Sequence, residues 1–250
     1  MPFTGAISKV PNVTLHERIY GELKQALIAG HLASGEVVTI RPLAEELGTS
    51  VMPVRDALLR LAAERALELM PNRSIRVPRM TRAGFDELYR IRGDLESMAA
   101  GMAAEIIQPE QLGELEAHRR RIQEATESGD AGGVGDAGAW VEAYKDFHFC
   151  VFAAARSVHL MPMIESMWLQ SGPILSAPFQ HAMADGSGKA AAKRQSGAVD
   201  ALLKAMKAGD SGAARAAVEA AFAEETAWFH ANFEFDAPEE DLRTEEGKTG

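Results

Sequence analysis

The side chains best placed to do chemistry in this chain are guanidinium and hydroxyl groups, not nucleophiles or metal ligands. Thr49, Ser50 and Arg55 open a segment in which Val54, Leu58 and Leu61 mark an apolar stripe at helical spacing, so Arg55 falls on another face. A guanidinium so placed can fork onto guanine acceptors or clamp a phosphate. A serine hydroxyl can cap its own helix or donate to a phosphate. Tyr144 and His148, four residues apart, share one helix face. His159, His181 and His230 have no partner at metal-ligand spacing, and Trp168 and Trp228 read as core or dimer contacts. There are no paired carboxylates, no catalytic triad and no nucleotide-binding glycine loop, so the chain is not expected to be an enzyme.

The first group of residues must be positioned by a helix, a tight turn and a second helix, followed by a short ribbon, over residues 41–77. Pro42 suits a first helical turn, Leu43, Ala44 and Leu47 supply one apolar stripe, and Gly48 stands where a left-handed residue ends the helix. The second helix begins near Val51 with Pro53 in its first turn. Leu67 to Met70 and Ile75 to Val77 are short enough for strands, with Pro71 and Asn72 turning between them and Arg73 and Arg76 making the ribbon basic. This is the layout of a DNA-reading helix-turn-helix, and periodicity alone leaves an ordinary helical hairpin open beside it.

The order LAEELG-x-S-x-x-PVR-x-AL-x-x-L, with PNR before a Val, resembles the winged helix-turn-helix of the GntR superfamily of bacterial transcription regulators. The resemblance implies double-stranded DNA as partner and Arg41, Ser50, Met52, Arg55, Asn72 and Arg73 as DNA-contacting residues. Two positions depart from it. Val51 stands where the family has Arg, and Ser74 where it has the wing-turn Gly. The operator is therefore expected to differ from the family consensus at the base pairs that Arg would read, or to be bound more weakly.

Composition agrees with a helical, two-part protein. Of the 250 residues 46% are apolar and 6% aromatic, which favours helices over a sandwich. One cysteine, Cys150, excludes an intrachain disulfide and fits a reducing compartment. Neither a signal pattern nor a run long enough to span a membrane is present, so a cytoplasmic, membrane-free protein is expected. The net charge of −10 is unevenly spread. Residues 1–80 hold ten Lys/Arg and eight Asp/Glu, and residues 81–250 hold sixteen and twenty-eight. A mildly basic small domain on an acidic larger one suits a regulator whose second domain stays off the DNA.

Taken in order, residues 1–12 form a disordered N-terminus, 13–78 the winged domain, 79–235 an all-helical domain, and 236–250 a disordered tail. The expected fold is mainly α, a winged helix-turn-helix followed by an antiparallel six- to seven-helix bundle. Helices are expected over 13–29, from a Thr81 cap to about 107, from Pro109 to about 128, and over 140–155, 159–176, 190–207 and 211–233. The fifth of these should be disturbed near Pro173 and Pro178. Glycines at 128–138 mark a flexible connection.

The signatures ELYRIRGDLE at 87–96, FH at 147–148 and ALLKAMKAGD at 201–210 make the second part resemble the FCD domain of the FadR-like branch of those regulators. That resemblance implies a homodimer and an effector pocket, which in many members holds a metal on one Asp and three His. Here those positions fall on Tyr144, His148, Val199 and Ala221. A lone imidazole cannot hold a metal tightly, so no family-type metal site and no cofactor are expected. Two small residues facing Tyr144 and His148 leave room for an organic ligand. Arg92 matches a family position that pairs with ligand carboxylates. A partly buried Arg must be answered either by a bound anion or by an internal acid such as Asp94 or Glu96. The expected protein is a metabolite-responsive repressor binding a pseudo-palindromic operator as a homodimer, with a small carboxylate bound by Arg92, Tyr144 and His148. The alternative is the same dimer with a purely structural bundle.

Overall fold

The computed structural model describes residues 15–70, 74–127, 137–175 and 188–237. The winged part contains α1 (Leu15–Ile28), β1 (Val37–Val38), α2 (Ile40–Glu46), α3 (Val51–Ala63), β2 (Glu68–Leu69) and β3 (Ile75–Arg76). The helical part contains α4 (Arg82–Ile106), α5 (Pro109–Glu127), α6 (Ala137–Ala154), α7 (Leu160–Leu175), α8 (Gly188–Ala208) and α9 (Ser211–Asn232). No helix among the described residues is long and apolar enough to cross a membrane.

Local chemistry accounts for most of these boundaries. Gly48 takes the left-handed conformation at φ +61° that closes α2, and the amide of Thr49 reaches back to the Ala44 carbonyl. The Thr81 hydroxyl accepts from the Gly84 amide at 3.1 Å and caps α4. Pro109 opens α5, where its missing N–H costs nothing. α7 continues through Pro173 to Leu175, where a disturbance was expected. Pro173 forfeits one backbone bond, and Ile174 next to it is fully buried in an aromatic cluster with Phe85, Tyr89 and Phe229, which helps hold the turn in place.

The wing is a three-stranded antiparallel sheet in the order β1-β3-β2, so Val37 and Val38 add a strand that sequence periodicity did not indicate. Arg76 sits directly opposite Glu68 and donates to it at 2.7 and 3.0 Å. The ribbon is therefore less basic than its sequence suggests, because this cation is answered across the strands.

The two parts meet at close quarters. Leu27 and Ile28 of α1 are buried, and α1 packs on α7 as well as on α3. Gly172 lets α7 approach the α1 backbone, since a Cβ there would fall 1.8 Å from the Leu27 carbonyl oxygen. Lys24 pairs with Glu165 at 2.8 Å, and Lys145 donates to Gln25 at 3.0 Å.

Asp236, expected in a disordered tail, is held in place instead. Its carboxylate accepts from the Ser34 hydroxyl and the Met80 amide, both at 2.9 Å, and its own amide donates to the Met80 carbonyl at 3.0 Å. The same hydroxyl, with one proton to share, lies 3.2 Å from the Pro78 carbonyl, so one small network ties the α1–β1 loop, the connection and the C-terminal segment together. Asp236→Ala is expected to lower unfolding free energy by about 1–3 kcal/mol. Urea titration of wild type and variant measures it, and an unchanged midpoint would count against the network's importance. Of the connection expected at 128–138, Ala137 and Gly138 instead open α6, while 128–136, the N-terminal residues 1–12, the expected tail from residue 238 and Pro178 lie outside the described residues.

Candidate DNA-reading surface and effector cavity

Two candidate sites follow from this architecture, one on α2 and α3 and one inside the helical part. α3 buries Val54, Leu58 and Leu61 against α1, and this turns Val51, Met52 and Arg55 to solvent. Arg41 at the start of α2 is exposed as well. Neither Arg41 nor Arg55 makes an ion pair among the described residues, so both are free to meet an anion. Ser50 occupies the cap position of α3, but its hydroxyl makes no capping bond. Of the two roles open to it, the structure leaves the hydroxyl available for a phosphate. Asn72 and Arg73 lie outside the described residues.

The inner cavity is built by α4, α6, α7, α8 and α9, with one wall residue, Ile28, supplied by α1 of the winged part. α6 turns Trp140, Tyr144 and His148 toward it at one-turn spacing. The Trp140 and Tyr144 rings stack at 4.7 Å and the Tyr144 and His148 rings lie 4.5 Å apart. The volume is about 40 Å³, room for a few waters rather than a metabolite.

Its charges are largely answered from within. Arg92 is 3% exposed and donates to Glu96 at 2.8 Å and to Ser171 at 3.1 Å. Of the two acids considered for it, Glu96 is the partner. The guanidinium lies 4.6 Å from the Trp168 ring, and the Trp168 indole donates to Glu96 at 2.9 Å. Trp168, expected as a core or dimer contact, is buried and also forms a cavity wall. Burial works against the Arg92 charge, and Glu96 reverses the balance and holds its pKa above the ordinary value. Glu225 accepts from the Tyr144 hydroxyl at 3.2 Å and from Gln195 at 3.4 Å, and burial pushes its carboxyl up.

His148 is different. It is 9% exposed, and neither ring nitrogen has a hydrogen-bond partner among the described residues. Burial, aided by the field of Arg92, pulls its pKa down to about 3, so the ring is neutral. The donor set does not fit the family's metal. One imidazole faces a guanidinium and a phenol, Glu225 already has two donors, and no group of three His, Cys, Asp or Glu side chains converges among the described residues.

Of the five residues expected in the pocket, Arg92, Tyr144, His148 and Ala221 line one cavity. Val199 does not. It is buried on the side of α8 that faces α5, beside Ile122 and Thr126, while Gln195, Ala198 and Leu202 face the cavity. Counting along a motif locates a turn, and with 100° per residue a shift of one position changes the face. Glu96, Gln195 and Glu225 are the polar residues that motif counting passed over. Gln195 lies one turn before Val199 and Glu225 one turn after Ala221, so their polarity on otherwise small-residue helices was the available signal.

Comparison with known proteins assigns a family to each part of the chain. Residues 15–77 match the family of bacterial regulatory proteins called gntR, and residues 87–235 match the FCD domain. The HTH-type transcriptional regulator McbR of Escherichia coli (strain K12) is 35% identical over 173 residues, 69% of this chain and 74% of McbR. The uncharacterized HTH-type transcriptional regulator YdhC of Bacillus subtilis (strain 168) is 27% identical over 112 residues, 45% of this chain and 50% of that protein. The solved structure of E. coli McbR/YncC superposes with a TM-score of 0.79 at 30% identity, covering 89% of this chain and all of that one (100%). A putative GntR regulator from Rhodococcus sp. RHA1 shares the fold, with a TM-score of 0.66 at 20% identity over 88% of this chain and 99% of its own.

Proposed function

The chain belongs to the gntR family of bacterial regulatory proteins and is a transcription regulator with an FCD domain, and on that premise we propose that it is a homodimeric repressor whose hold on DNA answers to a small metabolite in the inner cavity. Two-fold symmetry would present two α3 helices to the half-sites of a pseudo-palindromic operator. Arg41, Ser50 and Arg55, with the wing residues Asn72 and Arg73, would supply the polar contacts.

The observation that carries the effector reading is Ile28. A cavity of the FCD domain takes one wall from α1 of the DNA-binding domain. A ligand too large for the present volume must part these walls. The strain would then fall on the α1–α7 contact, where Gly172 leaves no slack. Ligand binding and the placement of α3 would thus share one free energy.

A carboxylate would reach Arg92 only by displacing Glu96, so His148 and the Gln195 carbonyl, both without partners, are the first contacts open to a ligand. The small volume favours the second reading, a purely structural bundle. Thermal shifts against paired carboxylic acids and amides, on wild type and on Ala221→Phe, separate the two. A shift lost on filling the cavity supports an effector, and no shift from either series supports the structural bundle. On the DNA side, Arg55→Ala is expected to weaken operator binding by about 1–3 kcal/mol, measured by gel shift at fixed salt. Unchanged affinity would remove Arg55 from the interface.

A further inference from the structure

We infer that Val51 and Met52 make this protein read thymine methyl groups where α3 enters the DNA; the inference rests on the DNA-binding reading above. Val51 is 38% and Met52 64% exposed, although both are large apolar residues in the first turn of α3. One turn further Arg55 is exposed, and after it Leu59, so the solvent stripe of this helix alternates apolar, cationic and apolar groups. On the flank, Asp56 is occupied with His16 at 3.5 Å. Among the described residues, no part of the protein's own core covers Val51 or Met52.

The N-terminal residues of a recognition helix are those that meet base edges in the major groove. Neither an isopropyl nor a thioether side chain can donate to guanine acceptors, and of the two only the thioether sulfur can accept from the cytosine amino group, weakly. The one apolar feature on that edge is the thymine 5-methyl, and contact with it removes apolar surface from water on both partners. Met52 adds reach, because an unbranched thioether adapts to the groove. Arg55 beside them keeps a polar, guanine- or phosphate-directed contact. The half-site read by this helix should therefore place thymine at the step met by residues 51 and 52, next to a contact made by Arg55.

Full-length protein is used to select binding sites from random duplex DNA. In the selected site each thymine is then replaced singly by deoxyuridine, which deletes only the methyl. Expected is a loss of about fourfold at one or two thymines in each half-site. The loss should vanish in Val51→Ala/Met52→Ala, a surface variant whose thermal midpoint is checked against wild type. Val51→Arg should move the selected base at that step from thymine to guanine. The inference is overturned if every uracil-substituted site binds as tightly as the parent, or if the double variant keeps the uracil penalty, while sequence-selective binding itself stands. Selection that enriches no sequence overturns the DNA-reading surface together with the inference.

Discussion

Glu96→Ala is expected to cost about 3–5 kcal/mol of folding stability, because it strands the Arg92 guanidinium inside the helical domain. Arg92 and Glu96 are each 3% exposed at their side chains, and the 2.8 Å bond between them is the direct answer to the Arg92 charge. The same carboxylate accepts from the Trp168 indole, so the substitution also leaves that N–H without its partner. The loss arises from the uncompensated cation rather than from any net worth of the pair. A double variant that removes both charges, Arg92→Met/Glu96→Leu, should therefore recover most of the stability. Urea unfolding of the two variants and wild type is the measurement. Equal instability of single and double variants would place the loss in packing instead of charge. Because both residues line the inner cavity, a ligand taking Arg92 from Glu96 would have to leave Glu96 with a new donor.

Acid should unfold the protein partly through His148. Its folded pKa is depressed from 6.5 to about 3 by burial first and by Arg92 second, while the unfolded chain takes up the proton near the ordinary value. The folded state thus loses ground as pH falls. The contribution of this group is fully present above about pH 6.5. It declines by about 1.4 kcal/mol per pH unit below that, and is gone by about pH 3, a total of about 5 kcal/mol. His148→Leu keeps an apolar side chain of similar bulk and has no proton to take up. The difference in unfolding free energy between wild type and this variant should slope through that window and be flat above it. Taking the difference removes the carboxylates, which titrate in both proteins. A flat difference from pH 7 to 4 would show that His148 reaches solvent or a hydrogen-bond partner in solution.

Legibility from sequence followed the range of the forces involved. The helix-turn-helix was readable because its signals are local: apolar spacing sets the buried stripe of α3, Gly48 ends α2 and Pro53 sits in the first turn of the next helix. The long helices of the second part were readable for the same reason. β1 was not, since two residues carry no alternation and Val37–Val38 is a strand only because β3 offers it an edge. Arg76 counted as a wing cation until its position opposite Glu68 was known.

The inner cavity divides along the same line. Tyr144 and His148 are one turn apart on one helix, so the sequence alone put them on a common face, and Ala221 was found by counting along a motif. By itself the chain determined a gntR-type winged domain followed by a helical FCD domain, because motif order and helical periodicity are written in neighbouring residues. Only the tertiary structure decided that Gln195 and Ala198 rather than Val199 face the cavity, and that Glu96 rather than a ligand answers Arg92. It also decided that Ile28 of the winged part supplies a wall of the inner cavity, through a helix contact that Gly172 permits. These are matters of rotation about helix axes and of contacts between residues far apart in sequence, to which local spacing is blind.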